Sequence, residues 1–265
     1  MNQTASKLGR LIRLRFQQAP GNDLPEQTNI TQLFRNPPQL KLLAELLSRH
    51  NSCCVAIYGV ADGSEAVSLL LSLDPFRTKL ELHIEGFDIC SEYLAYAESF
   101  TFTTRHFPKN VNPRNLATYL DRVDGQSWRV KQNWRALISY ACRDVLTLEP
   151  GPRKQSYDLV MCQNVMTLMP ATSCERAISN LVPLVKPGGI LALGGGPLGL
   201  VPRLAMSQQL TPILEEVEAI HEAWTVQRHF YNKPRRPKWA LEPFDATDPE
   251  GALRYCTLFR KSVIQ

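Results

Sequence analysis

The sequence predicts an α/β fold, a mostly parallel sheet covered by helices on both faces. Three observations point there. From residue 53 onward, short apolar runs alternate with stretches of helical periodicity. The first run ends in a glycine-bearing turn that leads into a helix, and the second ends on an aspartate. The chain has 265 residues, of which 44% are hydrophobic and 21% charged. That is globular composition, long enough to bury a core without disulfide staples.

Residues 1–50 read as a short helical N-terminal segment. Leu33, Phe34, Leu40, Leu43 and Leu47 recur at helical spacing after the capping side chains of Asn29-Ile-Thr31. Pro37-Pro38 splits this stretch into two short helices. Residues 51–265 form the main expected unit. Its strands are Cys53–Tyr58, Leu80–Asp88, Ile138–Cys142, Tyr157–Cys162, Ile190–Gly194 and Arg254–Arg260. Helices are expected after Gly63 through Leu71, over Glu92–Glu98, and over 172–186, where Lys186-Pro-Gly-Gly189 reads as a stop. Residues 101–135 and 225–250 interrupt the alternation and read as insertions.

The net charge of +5 is unevenly placed. Residues 1–50 carry +4, residues 51–104 carry −6, and residues 101–135 carry +5. This is not the global basicity of a nucleic-acid coat, so no nucleic-acid partner is expected. Lys7, Arg10, Arg13 and Arg15 alternate with apolar residues; they read as a solvated helix face or as a docking surface for an acidic partner. The longest aliphatic run, Val67–Leu73, is too short to span a membrane, and no secretory signal follows the basic N-terminus. The seven cysteines are odd in number and lack metal-ligand spacing, which predicts free thiols, no metal site and a cytoplasmic protein. The five histidines form no readable cluster.

Chemistry concentrates after the first strand. Gly59-Val-Ala-Asp-Gly63 stands where the carboxyl end of a strand meets a helix N-terminus, a place that accepts ligands and favours negative charge. Asp88 ends the second strand 25 residues after Gly63 and suits a pair of ribose hydroxyls. Ala61 breaks the GxGxxG order of dinucleotide-binding enzymes.

Six further segments occur in one order. They are Thr28-Asn-Ile-Thr-Gln-Leu-Phe-Arg35, Gly63-Ser-Glu-Ala-Val-Ser68, Phe87-Asp-Ile89, Asp144-Val-Leu146, Tyr157-Asp-Leu-Val-Met-Cys-Gln-Asn-Val-Met166 and Leu184-Val-Lys-Pro-Gly-Gly-Ile-Leu191. In that order the chain resembles the CheR-type chemotaxis receptor methyltransferases, which use S-adenosylmethionine to methylate receptor glutamates. The resemblance implies a Rossmann-like class I methyltransferase fold with an antiparallel last strand and a small inserted β-subdomain over 101–135. It implies that Asn29, Thr31 and Arg35 close over the cofactor, with Arg35 near the methionine carboxylate or the methyl group. Gly59 and Gly63 line the loop, Glu65 accepts a cationic or polar group, and Asp88 takes the ribose. Asp144 and Val145 stand beside the adenine, with Gln163 and Asn164 beside the sulfonium. Arg35 and Asn164 are the expected catalytic residues.

Read singly, each has a structural alternative: Asn29 and Thr31 as caps, Glu65 as a helix-start charge, Asp88 and Asp144 as turn residues. A monomer is expected; the resemblance implies a glutamate-bearing protein substrate, and the +5 of residues 101–135 would attract an acidic one. Leu168 stands where the family has Tyr, Gln163 where it has Arg, and Gly194–Pro197 where it has Gly-His-Ser-Glu. These departures keep two other readings open: a small-molecule methyltransferase, and a non-catalytic cofactor-binding module.

Overall fold

In the computed structural model, which describes residues 31–149, 151–230 and 242–263, the first apolar run lies near the middle of a seven-stranded sheet. In chain order the elements are α1 (Pro37–Leu47), β1 (Ser52–Tyr58), α2 (Ser64–Leu73), β2 (Glu81–Asp88), α3 (Ser91–Ser99), β3 (Thr101–Thr103), β4 (Leu120–Arg122), β5 (Ser127–Val130), α4 (Gln132–Arg135) and β6 (Ile138–Cys142). They continue with β7 (Tyr157–Cys162), α5 (Ala171–Leu181), β8 (Val185–Ala192), α6 (Leu200–Ser207), β9 (Leu210–Pro212), α7 (Val217–Phe230) and β10 (Leu258–Lys261).

The strand order is β6-β2-β1-β7-β8-β10-β9. The first five run parallel, and β10 is antiparallel to both its neighbours. The order turns back between β1 and β7, so the crevice at their carboxyl ends is the ligand position of such sheets.

The central strands are apolar because both faces are covered. All six residues of β7 are buried. Val55, Ile57, Leu159 and Met161 join a core with α1 and α2 (Leu40, Leu43, Leu69, Leu70). Their alternates Ala56, Tyr58, Val160 and Cys162 join a second core with α5 (Cys174, Ile178, Leu181). Burying one such aliphatic side chain stabilises the fold by roughly 1.5–3 kcal/mol.

The 101–135 insertion forms its own antiparallel sheet, β3-β5-β4, followed by the single turn α4. Phe102, Phe107, Leu120, Trp128 and Val130 are buried within it. Among the described residues no helix is long and apolar enough to cross a membrane.

Several sequence expectations need correction. Leu33 and Phe34 lie in a turn, with Phe34 at φ 56°, and helix α1 begins at Pro37. Asn36 Oδ1 accepts the Gln39 N–H at 3.1 Å, so the proline pair starts a capped helix rather than splitting one. Asn29 lies outside the described residues. Helix α5 stops at Leu181, because Pro183 has no N–H to continue it, and a 3₁₀ turn follows. The Lys186–Gly189 segment is then part of β8, where a bulge against β7 is absorbed by Gly188 at φ 78°. Arg254 and Tyr255 belong to a 3₁₀ turn, pinned by Arg254 to Glu242 at 2.8 Å, and the last strand starts only at Leu258. The segment read as an insertion from 225 is helical to Phe230; residues 231–241 lie outside the described ones.

Candidate cofactor site

Strand register lines up the site. Tyr58 pairs with Phe87 on one side and Cys162 on the other, and Asp88 pairs with Cys142. Gly59, Asp88, Gln163 and, two residues past β6, Asp144 therefore leave the sheet along one edge. Gly194, two residues past β8, joins them: its carbonyl accepts the Asn164 N–H at 2.7 Å.

The β1–α2 turn is left-handed at Gly59 (φ 77°), Ala61 (φ 49°) and Gly63 (φ 83°). The N–H groups of Gly59 and Val60 both donate to the Phe87 carbonyl, at 2.8 and 3.0 Å. A Cβ at Gly59 would lie 2.3 Å from Val165 Cγ2, and one at Gly63 would lie 2.6 Å from Tyr140 Oη. Glycine is required at both places for conformation and for space.

Asp88 holds this turn. Its Oδ2 accepts the Ala61 N–H at 2.9 Å and its Oδ1 the Cys90 N–H at 3.0 Å. Burial pushes its carboxyl up, and the amides of Cys90, Ala61 and Ile89 draw it back. Each oxygen keeps a second lone pair for a ligand hydroxyl. Asp144 Oδ1 accepts the Leu146 N–H at 2.8 Å. Val145 is buried, and its carbonyl accepts the Asn180 side-chain amide at 2.8 Å. Both aspartates thus fill their structural alternative and still stand on the edge.

The segment 31–36 is a strap across the opposite side. The Leu33 N–H donates to the His106 carbonyl (2.8 Å), the Phe34 N–H to Ser68 Oγ (2.7 Å), and the Asn36 side-chain amide to the Ile220 carbonyl (3.0 Å). Thr31 is half-buried at its start. Arg35 stacks on Trp224, 5.1 Å from its ring centroid. Arg35, Glu65, Met161 and Trp224 share the lining of one small cavity. Burial pushes the Glu65 carboxyl up to about 7, while the Arg35 charge pulls it down.

Asn164 follows β7 in left-handed conformation (φ 59°), and Thr167 Oγ1 ties the turn by donating to the Gly195 carbonyl at 2.5 Å. Gln163 is only 4% exposed, yet neither amide atom has a partner among the described residues. Trp224 Nε1, Tyr140 Oη and Ser64 Oγ are likewise buried without partners. Buried polar groups left unpaired are costly. Their gathering beside the left-handed turn and the carboxylate edge fits a polar, partly cationic cofactor.

Tyr140 and Trp224 are absent from the residues the sequence singles out. Gly86, inside β2, is the signal for Tyr140: a Cβ there would lie 2.6 Å from the tyrosine ring. Trp224 carries no signal beyond its type.

A sheet in this order, a left-handed glycine turn after β1 and carboxylates ending β2 and following β6 define a Rossmann-like fold of the class I methyltransferase type. The family described as CheR methyltransferase, SAM binding domain, matches residues 29–198. The chemotaxis protein methyltransferase of Klebsiella aerogenes is 28% identical over 176 residues, covering 63% of this chain and 59% of that protein. The one of Escherichia coli is 29% identical over 181 residues, covering 63% and 60%. The chain thus spans about three-fifths of the length of the curated relatives it matches. Among solved structures, a TehB-like SAM-dependent methyltransferase from Corynebacterium glutamicum is 14% identical, and the match covers 98% of this chain and 100% of that one, with a TM-score of 0.47. The chain belongs to the CheR methyltransferase family, through its S-adenosylmethionine-binding domain.

Proposed function

We propose that this chain transfers a methyl group from S-adenosylmethionine to a glutamate carboxylate of a protein partner. The observation that carries the reading is that Arg35 and Glu65 line one small cavity, with Glu65 in the first turn of the helix that follows the Gly59–Gly63 turn. A guanidinium and a carboxylate side by side suit an α-amino-acid group, whose carboxylate and ammonium are complementary to them. Asp88 would hold the ribose hydroxyls, Asp144 and Val145 the adenine, and Gly59 and Gly63 the close approach of the chain. Asn29 and Thr31 would close over the cofactor from the strap side. Gln163 and Asn164 would border the sulfonium.

When bound, the cofactor supplies a methyl group activated by the adjoining sulfonium. The residues of this chain hold, orient and shield it. A glutamate carboxylate is ionised at neutral pH, so the chain needs no general base. A glutamate carboxylate would take the methyl group directly, so no residue of this chain would have to hold or move a proton. Placement of the two reactants therefore supplies most of the acceleration. Arg35, held on Trp224, and Asn164, held in its turn, are the residues we assign to that placement. The free thiols of all seven cysteines suit a reducing compartment, and we place the protein in the cytoplasm as a monomer.

A second reading has its own support. Gln163 offers a neutral donor and acceptor where the resembling segment has a cation, which suits a small polar acceptor. Incubation with methyl-labelled cofactor and glutamate-bearing receptor tails decides. Label on protein, released by mild base as expected for a carboxyl methyl ester, supports the first reading. Label recovered only in a small-molecule fraction replaces it with the second.

A further inference from the structure

We propose that His106 is a positioning residue: it carries the fixed backbone of the small inserted sheet onto the cofactor loop through Asp62. The inference rests on the cofactor reading above. His106 closes the turn after β3 and is 7% exposed. The residue is held at three points, two on its ring and one on its backbone. The Thr103 N–H donates to Nδ1 at 2.9 Å, the Phe102 ring packs edge-on at 5.6 Å, and the His106 carbonyl accepts the Leu33 N–H of the strap at 2.8 Å.

Nδ1 is engaged at Thr103, so Nε2 is the ring nitrogen left to face the loop. That atom lies 3.4 Å from Asp62 Oδ2. The other oxygen of Asp62, Oδ1, accepts the Ser64 N–H at 2.9 Å, in the first turn of α2. Asp62 sits between Ala61 at φ 49° and Gly63 at φ 83°. Left-handed alanine is disfavoured by roughly 1–2 kcal/mol, so the turn keeps this shape only where neighbours hold it. Asp88 holds it from the sheet side, at the Ala61 N–H. His106 holds it from the inserted sheet, at Asp62. His106 thereby joins three parts of the chain: the strap through its backbone carbonyl, the inserted sheet through Nδ1 and the loop through Nε2.

Removing the imidazole leaves Asp62 tethered only within its own turn, so the loop must be ordered again when the cofactor binds. Such lost pre-organisation appears as weaker affinity. Calorimetric titration with S-adenosylhomocysteine tests this. His106→Ala is expected to raise its Kd about five- to tenfold, the scale of one lost polar contact. His106→Gln, which can return an N–H toward Asp62, should recover most of the loss. Asp62→Asn should add little in the His106→Ala background, because the two act as one unit. Leu120→Ala, buried on β4, the strand of the inserted sheet that does not pair with β3, should lower the Tm with Kd unchanged.

If His106→Ala binds as wild type does, the inference falls. It falls equally if Leu120→Ala weakens binding as much as His106→Ala, or if His106→Gln recovers nothing. A wild-type chain that binds neither S-adenosylhomocysteine nor S-adenosylmethionine overturns the cofactor reading itself, and this inference with it.

Discussion

Glu65 sits in the first turn of α2 near Arg35, with its carboxyl pushed up to about 7 by burial. The raised value means that folding favours the protonated form. Its contribution to stability is fully present below the unfolded carboxylate value and is lost as the pH rises through about 7. An ammonium ligand has the opposite preference, for the ionised form. Cofactor affinity should therefore rise about tenfold from about pH 6 to about pH 8, as the carboxylate becomes available. Glu65→Gln should flatten that profile in a titration series at constant ionic strength; an unchanged slope removes Glu65 from the site. Asp88 makes a different prediction, because its oxygens serve both the loop and the proposed ribose. Asp88→Ala should weaken cofactor binding by about 1–3 kcal/mol, the loss expected for hydrogen bonds to a charged group. It should also lower the Tm, since the Ala61 and Cys90 amides lose their acceptor. Tyr140→Phe separates binding from stability: it deletes a buried hydroxyl without a partner. The free protein should be as stable as wild type or more so, by up to about 1 kcal/mol in denaturant unfolding. A marked loss of stability would mean that the hydroxyl is satisfied.

The β1–α2 turn is the element on which these residues depend. Gly63→Ala places a Cβ at φ 83° and 2.6 Å from Tyr140 Oη, so it should cost about 1–2 kcal/mol from conformation alone and more from the contact. Because the obstructing atom is the tip of a side chain, part of that cost should vanish in the Tyr140→Phe background. A denaturant-melt cycle on the two single variants and the double checks it, and strict additivity would contradict the contact. The same element shows what is legible in sequence. β1 and β7 announce themselves because their residues are buried on both faces, which demands an unbroken apolar run. The glycines and Asp88 are legible because a left-handed turn and a strand-end carboxylate restrict residue type. β3, β4 and β9 have three residues each, too few to show a period. The start of β8 is hidden because Pro187 and two glycines read as a stop, although a bulge accommodates them. His106 and Trp224 act through contacts with residues far away in the chain, and no local pattern records such contacts. Gln163 is legible by position, but only its burial without partners shows that it faces an unfinished polar site.

At the scale of the molecule, charge and topology divide the labour. The Gly59–Gly63 turn and Asp88 of the proposed cofactor site belong to the acidic part of the chain, −6 over residues 51–104, whereas the inserted segment 101–135 carries +5. Arg105, Lys109, Arg114, Arg122 and Arg129 of that segment are exposed or half-buried, so their field reaches solvent. A cofactor held in a crevice and a protein acceptor drawn to an exposed basic surface should then respond differently to salt. Exposed charges are screened over roughly 10 Å at about 0.1 M ionic strength, while contacts within a crevice are screened much less. Raising sodium chloride from about 50 to about 300 mM should raise the KM for an acidic, glutamate-bearing acceptor about three- to tenfold, chiefly through slower association. The KM for S-adenosylmethionine should change by less than about twofold over the same range. Reversing two of the exposed arginines, Arg122→Glu with Arg129→Glu, should raise the acceptor KM at low salt and remove most of its salt dependence. If the acceptor KM proves flat with salt in wild type while methyl transfer proceeds, the partner is not recognised by charge. The basic surface of the inserted sheet is then only a solvated face, and acceptor choice passes to the groups around Gln163 and Trp224.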